Sequence, residues 1–382
     1  MKIAYLYISF ILFACAGCKE KFVPNTVSPP TGYLVVEGYI NSGPQPTSIS
    51  LSRTIRLFDS VQVLYEQNAM VKVQNENLDE YPLFENANGI YTSASLLNLK
   101  SNEKYRVNIR TQDGKEYVSD FAVVRHTPSI DSISWIRNDD GVGIYVNTHD
   151  LPTNSKFFQW KFEETWEIHS AFRSTLKFVF IPATGKTVAT WRDPFFHRDD
   201  TTIYKCWQQN IPSNIVLGSS EKLSINRIHF PLVSIVPQSE KLSLLYSIRV
   251  RQYALSEDAY RFYEKMKKNT ELVGSIFDAQ PAELRGNIHC STDPEEVMVG
   301  LVDISEEQEQ RIYISNAQLP SWNYRAPCVT VILDISGYDP SLIPINPHEF
   351  DGFGNIKNFI ASLPFCVDCT TRGSNIKPAF WP

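Results

Sequence analysis

The chain has 382 residues, with 36 Lys and Arg against 42 Asp and Glu and a formal charge of −6, a length that suits two domains or three. Hydrophobic residues at 43% and charged residues at 20% exclude wholesale disorder. An acidic balance without a basic run argues against nucleic acid, because neutralising phosphates takes clustered Lys and Arg. The 22 Phe, 18 Tyr and 7 Trp, beside 23 Pro and 17 Gly, lean towards a β protein with aromatic cores.

Lys2 supplies a positive start, Ile3 to Ala14 is a short apolar stretch, and Ala16-Gly17-Cys18 closes it. That stretch is too short for a bilayer core, which takes about 20 helical residues, and reads as a secretory signal. Cysteine directly after Ala-Gly resembles a bacterial lipobox, with lipidated Cys18 as the first mature residue and Cys15 where such boxes usually carry an aliphatic residue. Residues 19–31, opening on Lys19-Glu20-Lys21, read as a tether between membrane and first domain. The charged start resembles surface-export signals on lipoproteins of the Bacteroidetes group.

From Gly32 to about Arg125 the pattern is strand and turn. Tyr33 to Ile40, Ser48 to Leu57, Met70 to Val73, Gly89 to Thr92, Tyr105 to Ile109 and Tyr117 to Val123 are strand-like, and Asp113-Gly114 marks a hairpin turn. So many short strands predict a β-sandwich. Leu99, six residues before Tyr105, resembles the tyrosine corner of immunoglobulin-like and fibronectin-like sandwiches, in which the Tyr hydroxyl bonds backbone a few residues upstream.

His126-Thr127-Pro128 marks a boundary, since Pro disfavours continuing a central strand. Beyond it, strands are expected over Ile130–Ile136 and Ile144–Val146. Phe158, Trp160, Phe162, Glu164, Trp166 and Ile168 alternate, so one strand face carries them and the other carries Gln159, Lys161, Glu163, Thr165, Glu167 and His169. Glu164, alone among aromatics, is a candidate ligand contact; a rim position or a buried Arg partner is the plainer alternative. Residues 182–230 look irregular, ending in Ile225 to Phe230, and Ser243 to Tyr253 restarts a strand. A helix near 256–270 follows, with Ser256 as N-cap, Glu257 and Asp258 favoured by the dipole, and a Leu255–Tyr260 staple. After Pro281, Ile288–Ser291, Met298–Asp303, Arg311–Ser315 and Thr330–Ile335 are strand-like, and the tail from Pro364 to Pro382 has little regular pattern.

The fold expectation is thus mainly β: an immunoglobulin- or fibronectin-like sandwich over 32–126, then a larger β-rich domain over 127–382 with one main α-helix and a disulfide-bearing tail. With Cys15 removed and Cys18 lipidated, Cys206, Cys290, Cys328, Cys366 and Cys369 remain, and an oxidising compartment favours two disulfides and one free thiol. Cys366-Val-Asp-Cys369 also admits a redox dithiol, which wants a helix N-terminus, or half a zinc site, which wants a second ligand pair that the sequence lacks. The tail is expected to be stapled by Cys366 or Cys369 to Cys328 or Cys290, against a local Cys366–Cys369 ring.

No nucleophile elbow, phosphate loop or zinc helix is present, and neither a cofactor nor a metal is expected. Asp139-Asp140 and Asp199-Asp200 lack calcium-loop spacing and read as solvated turns. Trp191, Phe195 and Phe196 are candidate contacts for a sugar or a partner, equally suited to a core.

Leu34-Val35-Val36-Glu37-Gly38-Tyr39-Ile40, Gly286-Asn287-Ile288, Pro294-Glu295-Glu296-Val297, and the run from Cys366 through Cys369-Thr370, Arg372-Gly373-Ser374-Asn375 and Lys377-Pro378 to Phe380-Trp381 together resemble an uncharacterised Bacteroidetes-type family of outer-membrane lipoproteins. Where that family has a Gly-Tyr-Phe-type run, this chain has Gly300-Leu301-Val302. The resemblance implies an outer-membrane address and a TonB-dependent transporter as partner, and transfers no catalytic residues. The function expected is a surface-exposed, non-enzymatic accessory or substrate-capture subunit of such a transporter. The alternatives are a surface-polymer hydrolase, with carboxylates such as Glu164 and Asp193 gathered in a cleft, and a structural or adhesive sandwich.

Overall fold

The computed structural model describes residues 32–55, 63–149, 155–271 and 284–382. The expected signal segment, the lipidation site Cys18 and the tether 19–31 lie outside the described residues. The protein is mainly β, with several sheets and one main helix.

The first unit is a twelve-stranded sheet. Leu34–Asn41 pairs antiparallel with Ser48–Arg53, and the path runs on through Ile90–Ser93, Glu80–Ala87, Met70–Asn75, Lys104–Arg110 and Glu116–Ser119. Alternation does the folding. Leu34 and Val36, Val71 and Val73, and Tyr105, Val107 and Ile109 point one way, and all are buried in one core. Strands from both ends of the path contribute to that core, so the sheet curls over itself like a sandwich. Tyr105 is 1% exposed, and its hydroxyl accepts the Lys100 N–H at 2.9 Å and donates to Glu103 Oε2 at 2.9 Å, which is the geometry of a tyrosine corner.

Three strands of this sheet come from beyond the expected boundary at 126. Ile288–Cys290 pairs with Glu116–Ser119, while Val299–Gly300 and Asp303–Ser305 pair parallel with Leu34–Asn41. A division into 32–126 and 127–382 therefore does not describe the first sheet. Parallel pairing needs a long crossover, and here most of the second unit is that crossover.

The second unit is a two-sheet sandwich. One sheet has Lys205–Asn210, Phe157–His169, Leu245–Ala254 and Gln308–Ser315 in order, with Val216–Ser219 also on the long strand; the other has Ile130–Asn138, Gly141–His149 and Arg227–Ile235. Val142, Ile144 and Val146 from one sheet meet Phe158, Trp160, Phe162, Ile248 and Val250 from the other in a shared core. Trp160 is 1% exposed, and its Nε1 donates to Gln252 Oε1 at 2.7 Å; Gln252 in turn donates to Pro128 O at 2.8 Å, so these buried polar atoms are partnered.

Helix α1 (Glu257–Glu271) starts where expected: Ser256 Oγ accepts the Ala259 N–H at 3.1 Å. It buries Ala259 and Phe262, and Leu255 and Tyr260 join the same cluster. Among the described residues no helix is long and apolar enough to cross a membrane.

A satellite module joins the hairpin Leu176–Ile181/Lys186–Trp191 to a three-stranded sheet ordered Val331–Asp334, Ile356–Ser362, Ile343–Phe350, with Leu176, Ala189, Phe359 and Ala361 at its core. The segment expected to be irregular therefore holds the strands Lys186–Trp191, Lys205–Asn210, Val216–Ser219 and part of Arg227–Ile235.

Two disulfides order the tail. Cys206 bonds Cys369 across 163 residues, and Cys328 bonds Cys366 across 38. Cys366 thus takes Cys328, while Cys369 takes Cys206. Cys290 is a correction: it is a buried free thiol, because its strand belongs to the first sheet and the other four described cysteines lie outside that sheet. The tail ends docked. Trp381 is 5% exposed, its Nε1 donates to Glu167 Oε2 at 3.2 Å, and its ring meets Trp207 edge-on.

Candidate functional site

The period of two along Phe157–His169 sorts its side chains onto two sides. Even positions fill the sandwich core, and Gln159 and Lys161 face the other way, towards Leu34–Asn41 of the first unit. Between them lies a cavity of about 720 Å³, closed by α1 and residues 211–215. A neighbouring cavity of about 270 Å³ shares Glu37, Gly38, Lys161 and Arg251 with it. The larger volume falls in the range of small-molecule sites.

One wall is polar. Gln159 is 4% exposed, and its Oε1 accepts a hydrogen bond from the Tyr39 hydroxyl. Its amide nitrogen has no partner among the described residues. Lys161 is an exposed side chain that opens to solvent through the cleft, although protein atoms crowd around its ammonium. Among the described residues its ammonium has no ion pair; it lies 5.6 Å from the Tyr39 ring centroid and 6.0 Å from that of Tyr253, and these two rings stack at 4.6 Å. Burial, and then Arg251, hold the lysine below its ordinary pKa, with Glu37 and Glu307 opposing. Arg251 is bonded to Glu163 at 3.1 Å. Burial also pushes the Tyr263 phenol up to about 12, as expected of a poorly hydrated wall.

The rest of the lining is mixed: Phe262 and Met266 of α1 with Ile211, Ile215, Val299 and Leu301 are apolar, while Ser213, Asn214, Tyr263, Thr270 and Glu271 are polar. Leu301 is held there by glycines. Gly300 has φ +152°, and a Cβ on it would lie 2.4 Å from Val36 O; a Cβ on Gly286 would lie 1.5 Å from Gly300 O. Only glycine lets these backbones approach so closely. Asn287 clamps the arrangement, donating to Val302 O at 2.8 Å and accepting from Val302 N at 2.9 Å. The Val35-Val36-Glu37-Gly38, Gly286-Asn287 and Gly300-Leu301 segments picked out in the sequence therefore form or brace one cleft.

The site residues named from sequence lie elsewhere. Glu164 is 1% exposed, and its carboxylate accepts from Lys241 Nζ at 2.8 Å, Asn210 Nδ2 at 2.8 Å and the Tyr246 hydroxyl at 3.0 Å. It is a partnered core charge, and the partner is a lysine rather than an arginine. Asp193 accepts the Phe195 and Phe196 N–H groups at 3.0 Å each in an exposed turn, so no observation joins it to Glu164. Trp191 stacks on His197 at 3.8 Å. Phe195 and Phe196 are 86% and 69% exposed, belonging neither to a core nor to the cleft.

Sequence reasoning placed Gln159 and Lys161 on the face away from the aromatics but gave that face no role. The available signal was a strand too aromatic on one side to be an edge, with a lysine on the other. Among the described residues no group of three His, Cys, Asp or Glu is placed to hold a metal ion.

No curated protein matches the chain. The model of the family described as Domain of unknown function (DUF4249) matches residues 19–311, a range that takes in both walls of the cleft and stops short of the disulfide-bonded tail. The chain belongs to that family.

Proposed function

We propose that the protein is a surface-exposed, lipid-anchored outer-membrane lipoprotein that acts without catalysis, as an accessory or substrate-capture subunit of a TonB-dependent transporter. The observation that carries the capture reading is the cavity of about 720 Å³ between the two units, lined by both polar and apolar side chains. A site for transient capture needs concavity, apolar area and a few placed polar groups, and this cleft has all three. The lipobox-like Ala16-Gly17-Cys18 and the polar stretch behind it support the anchored address. The transporter partner rests on the family resemblance.

Affinity purification of the full-length lipoprotein from its own envelope in mild detergent tests the assembly. Recovery with a TonB-dependent barrel is expected; recovery without any barrel contradicts it. Cys18→Ala is expected to release the protein from the membrane fraction, and unchanged partitioning would show that protein contacts hold it there.

A further inference from the structure

The chemistry of the cleft points to a ligand class, an inference that rests on the capture reading. Three donors on its polar side have no protein acceptor among the described residues: the Arg251 Nε, which is buried, and the Gln159 amide nitrogen and Lys161 ammonium, which water can reach through the cleft. Gln159 and Lys161 stand two apart on one strand face, and Arg251 is directly opposite Lys161 on the neighbouring strand. A buried donor such as Arg251 Nε without an acceptor costs stability, and the charge of Lys161 directly opposite Arg251 is unfavourable to the extent that Glu163 does not offset it. Water solvates Gln159 and Lys161 in the open cleft, and an acceptor carrying negative charge can take its place.

The remaining charges narrow the class. Glu37 and Glu271 line the same cavity, and Glu307 lines its neighbour. Glu271 is turned to the Ile215 N–H at 2.5 Å. A multiply charged phosphate would meet these carboxylates, whereas a single charge seated on Lys161 is balanced. Within the lining, the side chains of Phe262, Met266 and Leu301 offer no hydrogen bonds and suit a hydrocarbon or aromatic body. Arg251 is bonded to Glu163, whereas Lys161 makes no direct ion pair among the described residues and feels Glu37 and Glu307 only at a distance.

We propose that this cleft binds an amphipathic monoanion, with its acid group on Gln159 and Lys161 and its apolar body along Phe262, Met266 and Leu301. Calorimetric titration of the full chain with decanoate, decanol and decyltrimethylammonium tests it, since the three share a tail and differ in head charge. Decanoate is expected to bind about tenfold or more tightly than decanol, the size of one charge-assisted hydrogen bond, and the cation not to bind. Lys161→Met, which keeps the apolar stem, is expected to remove the preference for decanoate and leave decanol unchanged. Met266→Trp and Ser213→Trp, which fill the cavity from α1 and from the 211–215 loop, are expected to weaken both, with thermal unfolding as the check on folding. Equal binding of decanoate and decanol, or decanoate affinity unchanged in Lys161→Met, overturns the acid class and leaves the cleft as a capture site. Binding unaffected by either tryptophan places the ligand elsewhere and overturns both readings. No binding of decanoate by the wild type overturns the proposal.

Discussion

Lys161 sits directly opposite Arg251 in the register of two antiparallel strands, and both line the cleft between the two units. Glu163 neutralises the arginine at 3.1 Å; the lysine, exposed in the cleft, makes no direct ion pair among the described residues and lies against the faces of Tyr39 and Tyr253. A sheet selected for stability alone would place an opposite charge or an apolar pair there, and local conflicts of this kind are expected where a surface serves function. The same strand shows the contrast a few positions on. Glu164, turned inward, has three donors around its carboxylate.

The Glu164 cluster supplies the first prediction. Lys241→Met leaves a carboxylate that is 1% exposed without its counter-charge, and the expected loss is roughly 3 kcal/mol of unfolding free energy. The double variant Lys241→Met/Glu164→Leu removes the stranded charge and should recover much of that loss in urea denaturation. Equal loss in both would show that packing, rather than charge, dominates the site.

The disulfides differ in the length of chain they close, 163 residues for Cys206–Cys369 and 38 for Cys328–Cys366. Removing the pair Cys206→Ala/Cys369→Ala is expected to cost about 2–5 kcal/mol, and more than removing the shorter link, because a longer loop gives the unfolded chain more freedom. Non-reducing peptide mapping should recover these two links with Cys290 as a free thiol. A Cys366–Cys369 ring in that map would contradict the arrangement.

Glu103 sets an acid limit on the tyrosine corner. Hydrogen bonds from Lys100, Asn75 and Tyr105 lower its carboxyl pKa to about 2, below the unfolded value of about 4.3. The folded state therefore binds fewer protons between those values. Its contribution is complete above about pH 4.3 and disappears as pH falls through about 2. Glu103→Gln is expected to flatten that part of the stability–pH curve. Tyr105→Phe, which removes the acceptor of the Lys100 N–H, should cost about 1–2 kcal/mol at neutral pH.

The sequence was informative where periodicity and caps are strong. The alternating run from Phe158 to Ile168 forms one long strand, Ser256 caps α1, and Leu99 with Tyr105 marks the corner. It was silent where pairing is non-local. Ile288–Cys290, Val299–Gly300 and Asp303–Ser305 look like any short strands, and nothing local says that they return to the first sheet. Strand Ile343–Phe350 is not among the expected strands and carries Pro344 and Pro347, which a sheet tolerates at its edge, where this strand lies. The cleft was hidden for the same reason. Lys161 and Gln159 were legible as a polar strand face, but Leu34–Asn41 and α1, which make that face a wall, are far away in sequence.

The claim that this cleft captures a ligand is tested most directly by native mass spectrometry of the full-length lipoprotein purified from its own envelope, beside the Met266→Trp and Ser213→Trp variants. The account expects a low-mass species bound to the wild type and absent from both variants. A wild type that carries nothing, or a bound species that persists when the cleft is filled, would contradict it.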